Sequence, residues 1–303
     1  MSRLSEKDSI HSPFGGKGKL ILKLSDEQVN EKYINKCGMS IKSHFNGVKE
    51  INLYECSVTK YRFWRPESIA GGESFYAEVS RIWKDYYREE RWEYAICRKH
   101  IYPGSRLLEI GCGRGFFLKS IESKIEASLG LELNSNAINE KVTSIDIQPY
   151  QASEIIDSHY ESFDVVCMFQ VLEHILDPNQ LLSDAIALLK PGGMLIISTP
   201  NYEHLPFYKL EDAFDLPPHH IGHFTCETYK RLAPIFHIDL ENIYTDYRRS
   251  QSQQEVPENQ EYSLYRKLLS YIQRKSMDLF YRINKEPGPN ILVTFRKKPI
   301  KSN

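Results

Sequence analysis

Three glycines at alternate positions, Gly111, Gly113 and Gly115, follow the apolar run Arg106 to Ile110 and precede Phe116 and Phe117. Glycine at such a bend lets the backbone turn tightly and lets a ligand lie against it without interference from a Cβ. The neighbouring residues decide which ligand. A phosphate-gripping loop needs Gly-Lys-Ser/Thr after its glycines, and a dinucleotide fingerprint needs a third glycine where Phe116 stands. This chain has neither, which leaves a ligand that carries adenosine without phosphates. Glu132, at the end of the next apolar run, can accept both ribose hydroxyls through its two carboxylate oxygens. Glu109, just before the loop, either takes the ammonium of an amino-acid moiety or bonds neighbouring backbone.

A second group is rich in histidine. His219, His220 and His223 follow Pro217-Pro218, which stiffens the loop. Imidazole is neutral near pH 7 and can take the proton of a hydroxyl as a new bond forms at its oxygen. On that ground His220 and His223 are the expected acceptor-site residues, with one of the three histidines serving only to bond the loop. A zinc site is the rival use and requires a fourth ligand such as Cys226. His174, with Glu173 in the run Val171 to His174, either acts near the same acceptor or stabilises the turn and helix start behind it. The aromatic residues Tyr76, Tyr86, Tyr87, Trp92 and Tyr94 either cap a ligand and hold a sugar face or simply fill the core.

These residues need a frame. Short apolar runs at 106–110, 127–132, 163–168 and 194–198 alternate with helical patterns near 116–125, 137 and 179–189, and buried strands alternating with amphipathic helices predict a parallel sheet covered on both faces. Asp239 to Tyr247 and Asn290 to Arg296 read as further strands. Residues 1–66 read as a small β-rich extension with strands at 20–24, 51–56 and 61–64, and residues 67–303 as the main domain with a helical insertion near 251–288. The stripe over 261–284 fits a lid, a dimer element or a membrane-surface helix.

The chain resembles the class I S-adenosylmethionine-dependent methyltransferases in four segments in the family's order: Leu108 to Gly115, Gly130 to Asn134, Phe163 to Pro178 and Leu188 to Asn201. The resemblance covers roughly residues 87–298. It implies an α/β, Rossmann-like sheet of seven strands with helices on both faces, the last strand antiparallel. It also implies S-adenosyl-L-methionine as cofactor, with Glu109, Gly111, Cys112, Gly113, Gly115, Glu132, Leu133, Gln151, Ala152 and Phe169 around it, Gln151 and Ala152 at the adenine edge. The run Val171 to His174 is similar to that of quinone-biosynthesis O-methyltransferases. Some of those hold a divalent metal with an E-x-x-E-H pattern, but here Gln170 stands at the first acidic position, a weaker ligand for a hard cation. Asp215 to Thr225 resembles the PPHH segment of methyltransferases of bacterial glycan and nucleotide-sugar pathways. Many of those begin with a zinc ribbon; this chain has Cys56 and Thr59 where two cysteines would stand, so no metal is assigned.

Composition excludes other classes. The 303 residues carry 39 Lys+Arg against 40 Asp+Glu, so no cationic field draws in nucleic acid or an anionic membrane. No run approaches the ~20 apolar residues of a membrane span and no secretory signal opens the chain, so a soluble cytoplasmic protein is expected. Its six scattered cysteines are expected to stay reduced. The expected activity is methylation of a sugar or glycan hydroxyl assisted by a histidine base. A phenolic or quinone-like acceptor is the alternative, and a non-catalytic cofactor-binding protein a third class. The partner is a small-molecule or glycan acceptor, and a homodimer is compatible with the chain.

Overall fold

The computed structural model describes residues 10–83, 86–125, 127–203, 210, 212–246 and 288–299. The N-terminal elements are β1 (Gly18–Ser25), α1 (Asp26–Cys37), β2 (Glu50–Cys56) and β3 (Arg62–Arg65). The expectation of a β-rich extension omits α1, whose signal lies in its ends. Ser25 and Gln28 close a capping box, Asp26 and Glu27 occupy the first turn, and Gly38 ends the helix at φ 71°. Such a cap contributes about 0.5–2 kcal/mol, and the left-handed stop suits glycine.

The chain continues through α2 (Glu73–Ile82) and α3 (Trp92–Cys97) into the alternation read from the sequence: β4 (Arg106–Ile110), α4 (Phe116–Ile121), β5 (Ala127–Leu131), α5 (Ser135–Asn139), β6 (Asp146–Gln148), α6 (Ile156–His159), β7 (Phe163–Phe169), α7 (Pro178–Leu188) and β8 (Leu189–Pro200). The two-residue strand β9 (Gly222–His223), α8 (Cys226–Ile235), β10 (Ile238–Thr245) and β11 (Asn290–Lys297) follow. Asp177 caps α7 by accepting from the Gln180 N–H, with Pro178 at the first helical position, and Thr225 caps α8.

Seven strands form one sheet in the order β10-β11-β8-β7-β4-β5-β6. Leu108 pairs in parallel with Leu129 on one side and Val166 on the other, whereas β11 runs antiparallel between β8 and β10. This is the expected methyltransferase sheet. Its central strands are mostly apolar because both faces are covered, with Glu109 of β4 a buried exception. Leu108, Val166, Leu195, Ile197 and Val293 enter one core cluster, and the alternate residues Leu107, Val165, Ile196 and Leu292 enter another. Each such buried side chain contributes roughly 1.5–3 kcal/mol.

The second sheet is antiparallel, in the order β1-β2-β3-β9. Its fourth strand comes from the far side of the chain: Phe63 pairs with Gly222 and Arg62 with His223. The N-terminal elements also share a core with the loop after β8, where Tyr33, Trp64 and Phe75 pack with Tyr202, Leu216 and Ile221. The histidine segment is therefore held by the N-terminal elements, a long-range pairing that no local pattern announces. The apolar stripe over 261–284 lies outside the described residues. Among the described residues no helix is long and apolar enough to cross a membrane.

Candidate active site

The glycine loop leaves the C-terminal end of β4, the end at which open α/β sheets bind ligands. Gly111, Gly113 and Gly115 have φ of 69°, 54° and 78°, a region that side-chain-bearing residues rarely adopt. The N–H groups of Gly111 and Cys112 donate to the Leu131 carbonyl at 2.8 and 3.0 Å, anchoring the loop to β5. Glu132 then closes it: one carboxylate oxygen accepts from the Gly113 N–H and the other from the Asn134 N–H, both at 2.8 Å. Each oxygen keeps lone-pair capacity for a ligand hydroxyl.

A cavity of about 1130 Å³ opens from this loop. Of the residues expected around a cofactor, Glu109, Gly111, Cys112, Gly113, Glu132, Leu133, Gln151, Ala152 and Phe169 line it. Gly115 does not. A Cβ there would lie 2.6 Å from Thr143 Cγ2 and 3.1 Å from Ile147 Cδ1, so this glycine lets α4 pack closely against both. Glu109 is buried, with one carboxylate oxygen lacking a hydrogen-bond partner. Burial drives its carboxyl well above the usual range, opposed by the charge of Arg91. An orphaned carboxylate oxygen in a cavity wall is a place for an ammonium.

All five aromatic residues singled out in the sequence line the same cavity. Tyr87 lies against the loop, so that a Cβ on Gly113 would come within 2.6 Å of its Cδ1, and its hydroxyl accepts from Asn134 Nδ2 at 2.8 Å. Tyr87 and Asn134 thus complete the loop's surroundings; Asn134 ends the segment Gly130 to Asn134, whereas Tyr87 stands in no motif of its own.

The other end of the cavity is walled by Glu173, His174, His219 and His220. Each imidazole has its Nδ1 committed. His174 Nδ1 donates to the His219 carbonyl at 2.8 Å, and His219 Nδ1 donates to the Phe214 carbonyl at 3.0 Å. His220 Nδ1 lies 2.8 Å from the Tyr202 hydroxyl, which itself donates to Asp215 Oδ1 at 2.9 Å. Because the carbonyls only accept and the Tyr202 proton is directed to Asp215, all three rings carry hydrogen on Nδ1, and the Tyr86 hydroxyl stands 3.4 Å from His219 Nε2. Burial lowers the pKa of all three, His174 to about 4, and mutual repulsion adds to the effect at His219 and His220. They are neutral near pH 7. Glu173 is fully buried beside them, neither carboxylate oxygen has a partner, and burial raises its pKa to about 8.

His223, expected at the acceptor, stands elsewhere. It is buried in β9, stacked on the Tyr202 ring at 3.7 Å, with Nε2 2.8 Å from the Asp215 carbonyl oxygen and 3.3 Å from Trp64 Nε1, and it does not line the cavity. Strand alternation is the reason: the pairing that brings His223 beside Arg62 turns its side chain into the core. The zinc grouping of the loop histidines with Cys226 is not formed either. Among the described residues, the His/Cys/Asp/Glu cluster close enough to hold an ion is His174, His219 and His220. Sequence reasoning missed the Asp215–Tyr202–His220 chain; Asp215 lies in the PPHH segment, but its link to Tyr202 exists only once the loop has closed.

Tyr33 of α1 holds that loop. Its hydroxyl donates to the Leu216 carbonyl at 3.0 Å and accepts from the His219 N–H at 3.3 Å. Tyr33→Phe removes both of these bonds, although the Leu216 carbonyl still accepts from the His219 and His220 N–H groups at 3.1 and 3.2 Å, and is expected to destabilise the fold by about 0.5–1.5 kcal/mol, read from urea unfolding; an unchanged midpoint would show that the backbone turn holds the loop without the hydroxyl.

Comparison with known proteins gives a consistent picture. A family model described as a methyltransferase domain matches residues 82–276. The ubiquinone biosynthesis O-methyltransferase of Hahella chejuensis is 30% identical over 106 residues, which are 33% of this chain and 44% of that protein. A Mycolicibacterium smegmatis protein named "Probable S-adenosylmethionine-dependent methyltransferase" is 32% identical over 105 residues, 34% of this chain and 40% of its own. The chain therefore spans less than half the length of these curated relatives. The crystal structure of a SAM-dependent methyltransferase from Archaeoglobus fulgidus shares the fold, with a TM-score of 0.51 at 21% identity over 74% of this chain and 100% of that one.

Proposed function

The chain belongs to the S-adenosylmethionine-dependent methyltransferases, and from that premise we propose that it methylates a hydroxyl of a sugar or glycan acceptor, with His220 receiving the proton. The observation that carries the proposal is the Asp215–Tyr202–His220 chain at the cavity end away from the glycine loop. A base held by a hydrogen-bonded partner, itself held by a carboxylate, is oriented in one tautomer and steadied when it becomes charged.

The residues present fit the cofactor. The positive-φ glycines Gly111 and Gly113 bring bare backbone to the cavity wall, Glu132 can accept the ribose hydroxyls, Gln151 and Ala152 line the wall where an adenine would lie, and the orphaned oxygen of Glu109 suits the ammonium. Bound S-adenosylmethionine supplies an electrophilic methyl group on a sulfonium. The protein's own part is to align an acceptor oxygen with that methyl, keep water out behind Tyr76, Tyr86 and Tyr87, and accept a proton at His220 Nε2. A sugar is the acceptor favoured by the PPHH segment and by aromatic rings that can stack on its C–H faces. A phenolic or quinone-like acceptor is the second reading, favoured by the run Val171 to His174 and by the names of the relatives that match about a third of this chain.

Turnover of S-adenosylmethionine measured against a panel of nucleotide sugars and of catechol-like phenols tests the choice. Methoxylated sugar products are expected; strong preference for the phenols would reject the sugar acceptor.

A further inference from the structure

Glu173 enters the cavity wall with its chemistry unfinished. Its side chain is fully buried, and neither carboxylate oxygen has a hydrogen-bond partner among the described residues. One oxygen lies 4.0 Å from Nε2 of His174, the least buried of the three cavity imidazoles. That ring carries its hydrogen on Nδ1, turned to the His219 carbonyl, and burial keeps it neutral, so it supplies no counter-charge. Arg91 acts on Glu173 through space, whereas Glu93 and Asp215 add negative charge. A buried carboxylate in this state is stabilised by a cation that donates hydrogen bonds to its oxygens.

The rest of the wall favours the same kind of ligand. Among the described residues that line the cavity, eight are Asp or Glu and three are Arg. Such a wall attracts a cationic ligand and repels an anionic one. Position adds a second restriction. The ring centroids of His174 and His220 are 5.0 Å apart, so Glu173 and the base His220 flank the same small space. An acceptor whose hydroxyl meets His220 can present the substituent of a neighbouring carbon to Glu173. A second hydroxyl there would offer one hydrogen and leave the charge unopposed; an ammonium offers three hydrogens and the opposite charge.

On the reading of His220 as the base of sugar O-methylation, we propose that Glu173 binds the ammonium of an amino-sugar acceptor and thereby directs the methyl group to the neighbouring hydroxyl. A free amine would be the better nucleophile. Held against the carboxylate it stays protonated, because an opposite charge close by favours the ionised form of both partners. In the transfer the C–O bond forms as the C–S bond breaks, and sulfur keeps the electron pair. The hydroxyl proton passes to His220 Nε2, while the nitrogen keeps its hydrogens and has no lone pair with which to compete.

The test uses the full chain loaded with S-adenosylhomocysteine and methyl glycosides of aminohexoses, each beside its N-acetylated and its hydroxyl counterpart. In calorimetry the best amine is expected to bind at least tenfold more tightly than either counterpart. Glu173→Gln, which keeps the shape and removes the charge, is expected to erase that preference while binding S-adenosylhomocysteine normally. Glu73→Gln, at an exposed position of the same wall, is expected to keep it. With S-adenosylmethionine, the amine is expected to give a product with a methoxyl and an unmethylated amino group. Absent or equal binding of the three glycosides, a preference that survives Glu173→Gln or is lost equally in Glu73→Gln, or methylation at nitrogen would each overturn the ammonium site. Methyl transfer to the hydroxyl glycosides would then leave the sugar reading standing, whereas failure of every glycoside alongside turnover of phenols would overturn that reading itself.

Discussion

Gly113→Val is expected to abolish binding of S-adenosylhomocysteine, with a loss of at least a hundredfold in calorimetry, while the protein stays folded. Two effects act together. At φ 54° a β-branched residue is strained, and its Cβ would sit 2.6 Å from Tyr87 Cδ1, against an aromatic ring whose hydroxyl is tied to Asn134. Relief requires the loop or Tyr87 to move, and either shift breaks the geometry that Glu132 holds through the Gly113 N–H. Gly115→Ala provides the contrast. It strains the packing of α4 against Thr143 and Ile147, so its cost is expected in stability rather than in ligand contact. Normal affinity in Gly113→Val would remove the loop from the cofactor site.

His220→Ala is expected to lower kcat by about 10²- to 10⁴-fold, the usual range for loss of a general base, with the affinity for S-adenosylhomocysteine unchanged. The cofactor contacts lie at the other end of the cavity, so binding and turnover should separate. Tyr202→Phe should reduce kcat in the same direction but less, because His220 keeps its position beside Asp215, whose Oδ1 lies 3.6 Å from Nδ1. His174→Ala is the informative comparison. If it were inactive and His220→Ala were not, the proton would go to the turn after β7 instead.

The parts of this account that were legible in the sequence are those written in local patterns. The glycine run, Glu132 and the alternation of apolar strands with helices are contiguous, and the strands around Leu108 and Val166 need no distant information to be recognised as buried on both faces. The histidine end was only half legible. The residues were visible, yet which of them face the cavity depends on a two-residue strand, Gly222–His223, pairing with β3 about 160 positions earlier. That pairing turns His223 inward, and the turn before it brings His219 and His220 to His174. The hold of Tyr33 on Leu216 and His219 is hidden for the same reason, because a tyrosine in a capped helix carries no mark of its remote partners. Gly115 shares the spacing of its neighbours, but a Cβ on it would meet Thr143 and Ile147, a closeness that its spacing does not announce.

The most direct test of the central claim is transfer from S-adenosylmethionine labelled with carbon-13 in its methyl group, followed by carbon NMR of the acceptor product with wild-type protein and His220→Ala. A methoxyl carbon on a sugar, formed by the wild type and suppressed at least a hundredfold in the variant, is the expected result. A label on nitrogen or carbon, or equal methoxyl formation by both proteins, would contradict it.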